Sequence, residues 1–306
     1  MKTSIPIALA LFLVGTGLCR GQVSGNLAFS EGGAKARAEQ RERNKRTLPE
    51  SERPPTGTSM FVDADVLMNV KADEFVAVFG IAQEGASVAE CSQKMEAVVQ
   101  EFTDALRALK IGEDDLFLDF VTQTKTYGFE VMGDIAREKL VGFELKKNLS
   151  VHYRDRTLLD KLVVTAARSK IYDLIKVDYI VKDVNLVQDK LMEEATKVIQ
   201  QKVARYDRLL GIKLQPPAQV YAEISAVYYP TGMYDSYTAA ETETFESASY
   251  RQKYTVQSAR KSRTFVFNGL DGDGFDQVIN PVIIEPVVQF TLHLKVKYEV
   301  EQVKAK

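Results

Sequence analysis

The chain is short of side chains that could do chemistry. Its 306 residues contain two histidines, His152 and His293, and two cysteines, Cys19 and Cys91. A hydrolytic triad needs an imidazole beside a hydroxyl or thiol, and a zinc site needs several His, Cys or carboxylate ligands. None of HExxH, CxxC or GxSxG occurs, and no glycine run forms GxGxxG or GxxxxGK[ST], so a phosphate cradle has no support either. In "GFELKKNLSVHYRD", Phe143, Leu145, Leu149, Val151 and Tyr153 share one parity, and His152 has the other with Asn148 and Ser150. In "FTLHLKVKYEV", Phe290, Leu292, Leu294, Val296, Tyr298 and Val300 alternate with Thr291, His293, Lys295, Lys297 and Glu299. Side chains alternate across a strand, so both imidazoles are expected on polar, solvated faces. Convergence of the two in one site is the alternative, and it would make the protein a hydrolase.

Two further clusters carry a chemical reading beside a plainer one. "LDGDGFDQ" offers the oxygens of Asp271, Asp273 and Asp276, with Gly272 and Gly274 permitting tight turns, which suits calcium. The EF-hand spacing is absent, and Asp-Gly pairs also make hairpin turns, here between "RTFVF" and "QVINPVIIEP". "SARKSR", near Tyr250 and Tyr254, could bind nucleic acid, but a solvated strand face accounts for it and no nucleic-acid partner is expected. Forty basic and forty-two acidic residues leave a net charge of -2, so no global field favours a polyanion. No catalytic residue, cofactor-binding residue, metal ligand or cofactor is therefore assigned.

Periodicity defines the elements that position these groups. Val62, Ala64, Val66, Met68 and Val70 alternate with mostly polar neighbours and predict a half-buried strand. "EFVAVFGIAQE" is apolar on both faces from Phe75 to Ala82, which predicts a central strand. Val88, Cys91, Met95, Val98, Phe102, Leu106 and Leu109 recur at three- and four-residue steps, predicting a helix capped by Ser87 and Glu90 and stopped at Gly112. Cys91 lies on its apolar stripe, the setting of a buried structural thiol.

Beyond that helix, "DLFLDFVTQTKTYGFEV" and "GFELKKNLSVHYRD" read as strands joined by a polar excursion around Gly133 to Lys139. A helix in "TLLDKLVVTAARSK", a strand in "IKVDYIVKDV" and a long helix closed by Gly211 follow. A strand with Val220, Ala222, Ile224 and Ala226 on one face, a polar insertion around 230–280 and the closing strand complete the chain. The expected class is α+β: an antiparallel-rich sheet with three helices packed on it.

The N-terminus has Lys2, an apolar run from Ile5 to Val14, and small residues Cys19 and Gly21 before a cut after position 21. That run is well below the ~20 apolar residues of a membrane span, so residues 1–21 are read as a secretory signal peptide and the mature chain is expected to have no integral membrane span. Lipidation at Cys19 ranks second, because Leu18 is bulky where such sites want a small residue. Residues 22–58, charged and nearly empty of large apolar side chains, are expected to be a flexible linker, and residues 59–306 the folded domain. Cys91 alone past the cut allows no internal disulfide.

The element order resembles the SIMPL-domain family, the kinase-interacting, oxidative-stress-defence and periplasmic immunogenic proteins. The similar segments are "VKADEFVAVFGIAQEG", "LRALKIGEDDL", "GFELKKNLSVHYRDRTLLDKLV", "EEATKVIQQKVARYDRLLGIKL" and "PVVQFTLHLKVKYEV", over about residues 60–229 and 280–300. Ala72 stands where that family has proline before Asp73, the first strand lacks its glycines, and the 230–280 insertion is long. The resemblance implies a non-catalytic binding or assembly protein exported to the periplasm or cell envelope of a bacterium. It also implies a homo-oligomer, an envelope protein partner and a link to stress tolerance. The alternative is a calcium- or small-ligand-binding periplasmic receptor.

Overall fold

Each helix carries one apolar stripe, and each stripe meets a sheet face. The computed structural model describes residues 59–237 and 264–301. In chain order these form β1 (Ser59–Val70), β2 (Glu74–Gly85), α1 (Val88–Arg107), β3 (Leu116–Met132), β4 (Ile135–Tyr153), α2 (Leu158–Arg168), β5 (Asp173–Ile180) and α3 (Val184–Leu210). There follow β6 (Leu214–Tyr228), β7 (Tyr234–Tyr237), β8 (Thr264–Phe267), β9 (Gln277–Ile279) and β10 (Val288–Val300). The α+β class holds, and the strands divide into two four-stranded sheets, β6-β10-β1-β9 and β3-β4-β2-β5, with a two-stranded ribbon of β7 and β8. The leader, the linker, the basic "SARKSR" stretch and residues 238–263 of the expected insertion lie outside the described residues.

The first sheet is covered by α3. Val62, Ala64, Val66 and Met68 of β1 and Phe290, Leu292, Leu294 and Val296 of β10 are buried against Val187, Leu191, Ala195, Val198 and Ile199. Asp183 caps α3 by accepting from the Leu186 N–H at 2.9 Å, and Gly211 ends it with φ of +65°, a conformation that costs glycine little. The second sheet is covered by α1 and α2, whose Cys91, Met95, Phe102, Leu106, Leu162 and Ala166 share a core with Phe75, Phe79, Leu145, Leu149 and Val151. Here β2 is central, between β4 and β5, as its two apolar faces predict. Ser87 caps α1, and Glu90 reaches back to the Ala86 N–H at 2.9 Å. The left-handed stop after α1 is Lys110 at φ of +64°; Gly112, expected in that role, is extended at φ of -93°.

Three other expectations change. The polar excursion around Gly133 to Lys139 is strand: β3 and β4 form one continuous hairpin, with Met132 opposite Ile135 and only Gly133 and Asp134 between them. Gly133 takes φ of +62°, which allows a two-residue turn. The apolar set of β6 is split: Ile224 pairs with His293 and Ala226 with Thr291, on the face away from α3, while a register shift moves Val220 opposite Val296. As an edge strand, β6 leaves Val220 and Ile224 exposed. Finally, "RTFVF" and "QVINPVIIEP" are not hairpin partners, since β8 pairs with β7 and β9 adds in parallel to β1.

What holds the 268–280 segment down is a buried polar network. The Gln289 side chain, 0% exposed, accepts from the Leu270 N–H at 2.6 Å and donates to the Leu270 carbonyl at 3.1 Å and the Asn69 side-chain oxygen at 2.7 Å. The Asn69 side chain donates to the Asn280 carbonyl at 2.9 Å, and that of Asn280 donates to the Asn69 carbonyl at 3.0 Å. Gln289→Leu would leave the Leu270 backbone groups and the Asn69 side-chain oxygen without their Gln289 partner. The expected cost is about 2–4 kcal/mol in urea unfolding, and a loss below about 1 kcal/mol would show that water replaces the amide freely.

Candidate functional site

The β3–β4 hairpin outgrows its cover. Strands of 17 and 19 residues extend roughly 55–65 Å at ~3.3 Å per residue, whereas the 20-residue α1 extends only ~30 Å at ~1.5 Å per residue. The end near Leu145, Leu149 and Val151 lies in the helix-covered core. Further out the same parity continues with Tyr127, Phe129 and Val131, which pair with Leu140, Glu138 and Ala136 of β4. Phe129 and Val131 are 72% and 70% exposed, and Tyr127 and Leu140 are also uncovered. The opposite face carries Glu130, Arg137 and Lys139, with a Lys139–Glu130 ion pair at 3.4 Å, and Met132 and Ile135 stand exposed at the tip. Among the described residues, β3 is also a sheet edge, with no strand beyond it. The result is a long two-stranded arm with one apolar face in solvent. Exposed contiguous apolar surface of this kind marks a contact site.

Reading Gly133 to Lys139 as a polar excursion conceals the arm. Tyr127, Phe129 and Val131 recur at every second residue, and Gly133-Asp134 sits between apolar residues, so the hairpin signal was present.

Both histidines occupy the polar strand faces expected of them, but neither is merely solvated. His152 lies between two carboxylates, with Nδ1 2.7 Å from Asp115 Oδ1 and Nε2 3.2 Å from Glu74 Oε2. Glu74 also accepts from Lys182 Nζ at 2.7 Å and Arg154 Nε at 2.9 Å. The Lys182 ammonium, against the opposing cost of burial, and then His152 and Arg154, hold the Glu74 carboxyl down at about 2. Asp115 is lowered as well, chiefly by its bond to His152. A triad histidine turns its second nitrogen to a hydroxyl or thiol; here that nitrogen meets a carboxylate.

His293 belongs to the other sheet. Its Nδ1 lies 2.8 Å from Asp65 Oδ1, directly across the β1–β10 register. Asp65, by hydrogen bonding, raises the imidazole above its ordinary 6.5 against the opposing effect of burial. The two histidines thus serve separate sheets and separate carboxylates.

The remaining candidates are structural. The Cys91 thiol is buried and reaches the Phe143 carbonyl at 3.2 Å. The Asp276 carboxylate accepts from the Asp65 N–H at 2.9 Å and from Lys202 Nζ at 2.8 Å, while its own N–H donates to the Asp65 carbonyl at 2.8 Å. It therefore seals an edge of β1 and does not gather Asp271 and Asp273 around an ion. Among the described residues no group of three or more His, Cys, Asp or Glu is placed to hold a metal. No described helix is long and apolar enough to cross a membrane.

The SIMPL family model, described as a protein of unknown function (DUF541), matches residues 62–260, from β1 through both helices of the second sheet, α3 and β6. The chain belongs to the SIMPL family. The match on this SIMPL chain runs on past residue 229, where the resemblance was expected to break, and stops short of β10. No curated protein matches the chain.

Two titrations follow from the geometry. A raised His293 pKa means that the folded state holds the proton more tightly, so its contribution is complete below about pH 6.5 and is lost as pH rises through the folded value. The stability difference between wild type and His293→Gln should be larger at about pH 5.5 than at about pH 8.5 in urea unfolding. Glu74 has the opposite sign. Its contribution is complete above 4.5 and shrinks as pH falls through about 2, so Glu74→Gln should lower the urea midpoint at neutral pH, with the gap closing only in strong acid.

Proposed function

We propose that this SIMPL protein is a non-catalytic binding and assembly module of the bacterial cell envelope, and that the β3–β4 arm is its contact surface. The reading rests on the uncovered apolar face of Tyr127, Phe129 and Val131. Paired histidines and a buried thiol favour contact over turnover. Export is supported by the apolar run from Ile5 to Val14, and the place in stress tolerance by family resemblance alone.

The partner best suited to the arm is another copy of it. Covering these three side chains would remove on the order of 300 Å² of apolar surface from water, about 7 kcal/mol at ~25 cal/mol per Å². Association itself costs about 4–15 kcal/mol, so one arm against a polar surface gains little, whereas two arms face to face reach the upper end of that range. Charge does not oppose the pairing: Lys125, Arg137 and Lys139 balance Glu130, Asp134 and Glu138.

Light scattering on the purified protein should give a mass above that of one chain. The double substitution Phe129→Ser, Val131→Ser should weaken association about 100-fold, the loss of roughly 3 kcal/mol, without changing the circular dichroism spectrum. A wild-type protein that stays at the mass of one chain across all concentrations would overturn the assembly reading.

A further inference from the structure

A cavity of about 310 Å³ opens where α2, β5, the turn at Pro230–Gly232 and the β7–β8 ribbon meet. Leu159, Leu174, Val177, Tyr179, Tyr234 and Phe265 supply most of its wall. It lies on β5, the strand at the opposite end of the sheet order from β3. Its volume is about twice the ~150 Å³ apolar cavity that accepts a benzene ring. It also falls in the range of small-molecule sites, which are mostly apolar with a few placed polar groups.

The polar groups here are specific. Lys176 is paired with Asp178 at 2.7 Å, and the Thr231 hydroxyl donates to the Val177 carbonyl at 2.9 Å. The one cationic residue of the wall, Lys176, is thus already paired, and burying an unpaired charge is costly. The remaining handle is a pair of phenols. Tyr179 and Tyr234 both stand in the cavity wall, and burial first, then the neighbouring Tyr234, pushes the Tyr179 phenol up so that it stays neutral. Both rings are braced, Tyr179 edge-on to Phe75 at 5.4 Å and Tyr234 edge-on to Phe267 at 5.9 Å. Each phenol has one donor and lone pairs to offer.

We propose that this cavity is a binding site for a small, uncharged, hydrocarbon-rich compound of about two rings' bulk, held at one end by a hydroxyl or carbonyl against the Tyr179–Tyr234 pair. The site is distinct from the β3–β4 arm and does not depend on it.

The probes are 1-naphthol, naphthalene and 1-naphthoate, titrated by fluorescence and calorimetry into the Phe129→Ser, Val131→Ser protein, so that ring compounds adsorbing to the arm do not count. 1-Naphthol should bind saturably and raise the melting temperature, and the naphthoate anion should bind at least about tenfold more weakly. Tyr234→Phe should remove the advantage of naphthol over naphthalene. Leu174→Trp, which fills the cavity, should reduce naphthol affinity by about tenfold or more. If that variant does not fold, Phe265→Ala, which removes a wall from the short ribbon, should weaken binding in the same direction. Absence of saturable naphthol binding, equal affinity for naphthoate, or unchanged affinity in a folded cavity variant would each overturn the proposal. None of these outcomes bears on whether the arm associates.

Discussion

The apolar face of a sheet has to be covered, and the reach of the covering helix decides how much of it is. A strand advances more than twice as far per residue as a helix. α3, at 27 residues, is long enough to lie along β1 and β10, and their inner faces are buried together. α1, at 20 residues, covers the inner half of the 19-residue β4 but leaves its outer half and nearly all of the 17-residue β3 bare. The core of the second sheet and the exposed arm are thus two parts of one strand pair, separated by where the helix ends.

Electrostatics works within this frame at the edges and polar faces. Lys202 sits on the stripe of α3, yet its ammonium extends past the core to the Asp63 carbonyl and the Asp276 carboxylate. A long lysine stem can cross apolar surface while its charged end finds oxygen. Asp276 in turn pairs with the backbone of Asp65, and the Asp65 side chain faces His293. One chain of contacts therefore joins α3, the approach to β9, β1 and β10. On the second sheet, Glu74 of β2 draws together His152 and Arg154, from β4 and its end, and Lys182, from just past β5. In both places the imidazole acts as a cross-strand fastener.

Much of this was legible in the chain. Alternation placed Val62 to Met68 inside and His293 outside, because a strand repeats at two residues whatever its neighbours are. The helical stripes of α1 and α3 emerged for the same reason, and so did the burial of Cys91. Partner choice was not legible. That β8 pairs with β7, or that β9 joins β1 in parallel, depends on residues far apart in sequence, and the Asp-Gly turns fit either arrangement. Ile224 misled because apolar parity shows that side chains share a face but not which face the core will take.

Composition and period alone determined the α+β class, the three helices, the central place of β2 and the family resemblance, since each is a property of neighbours along the chain. Only the tertiary structure decided that the strands form two sheets, that each histidine meets a carboxylate, and that the β3–β4 arm lies bare while a cavity forms beneath the β7–β8 ribbon. Those features depend on the register between distant strands and on where a helix of fixed rise stops short of a strand, and neither quantity is written in any local stretch of residues.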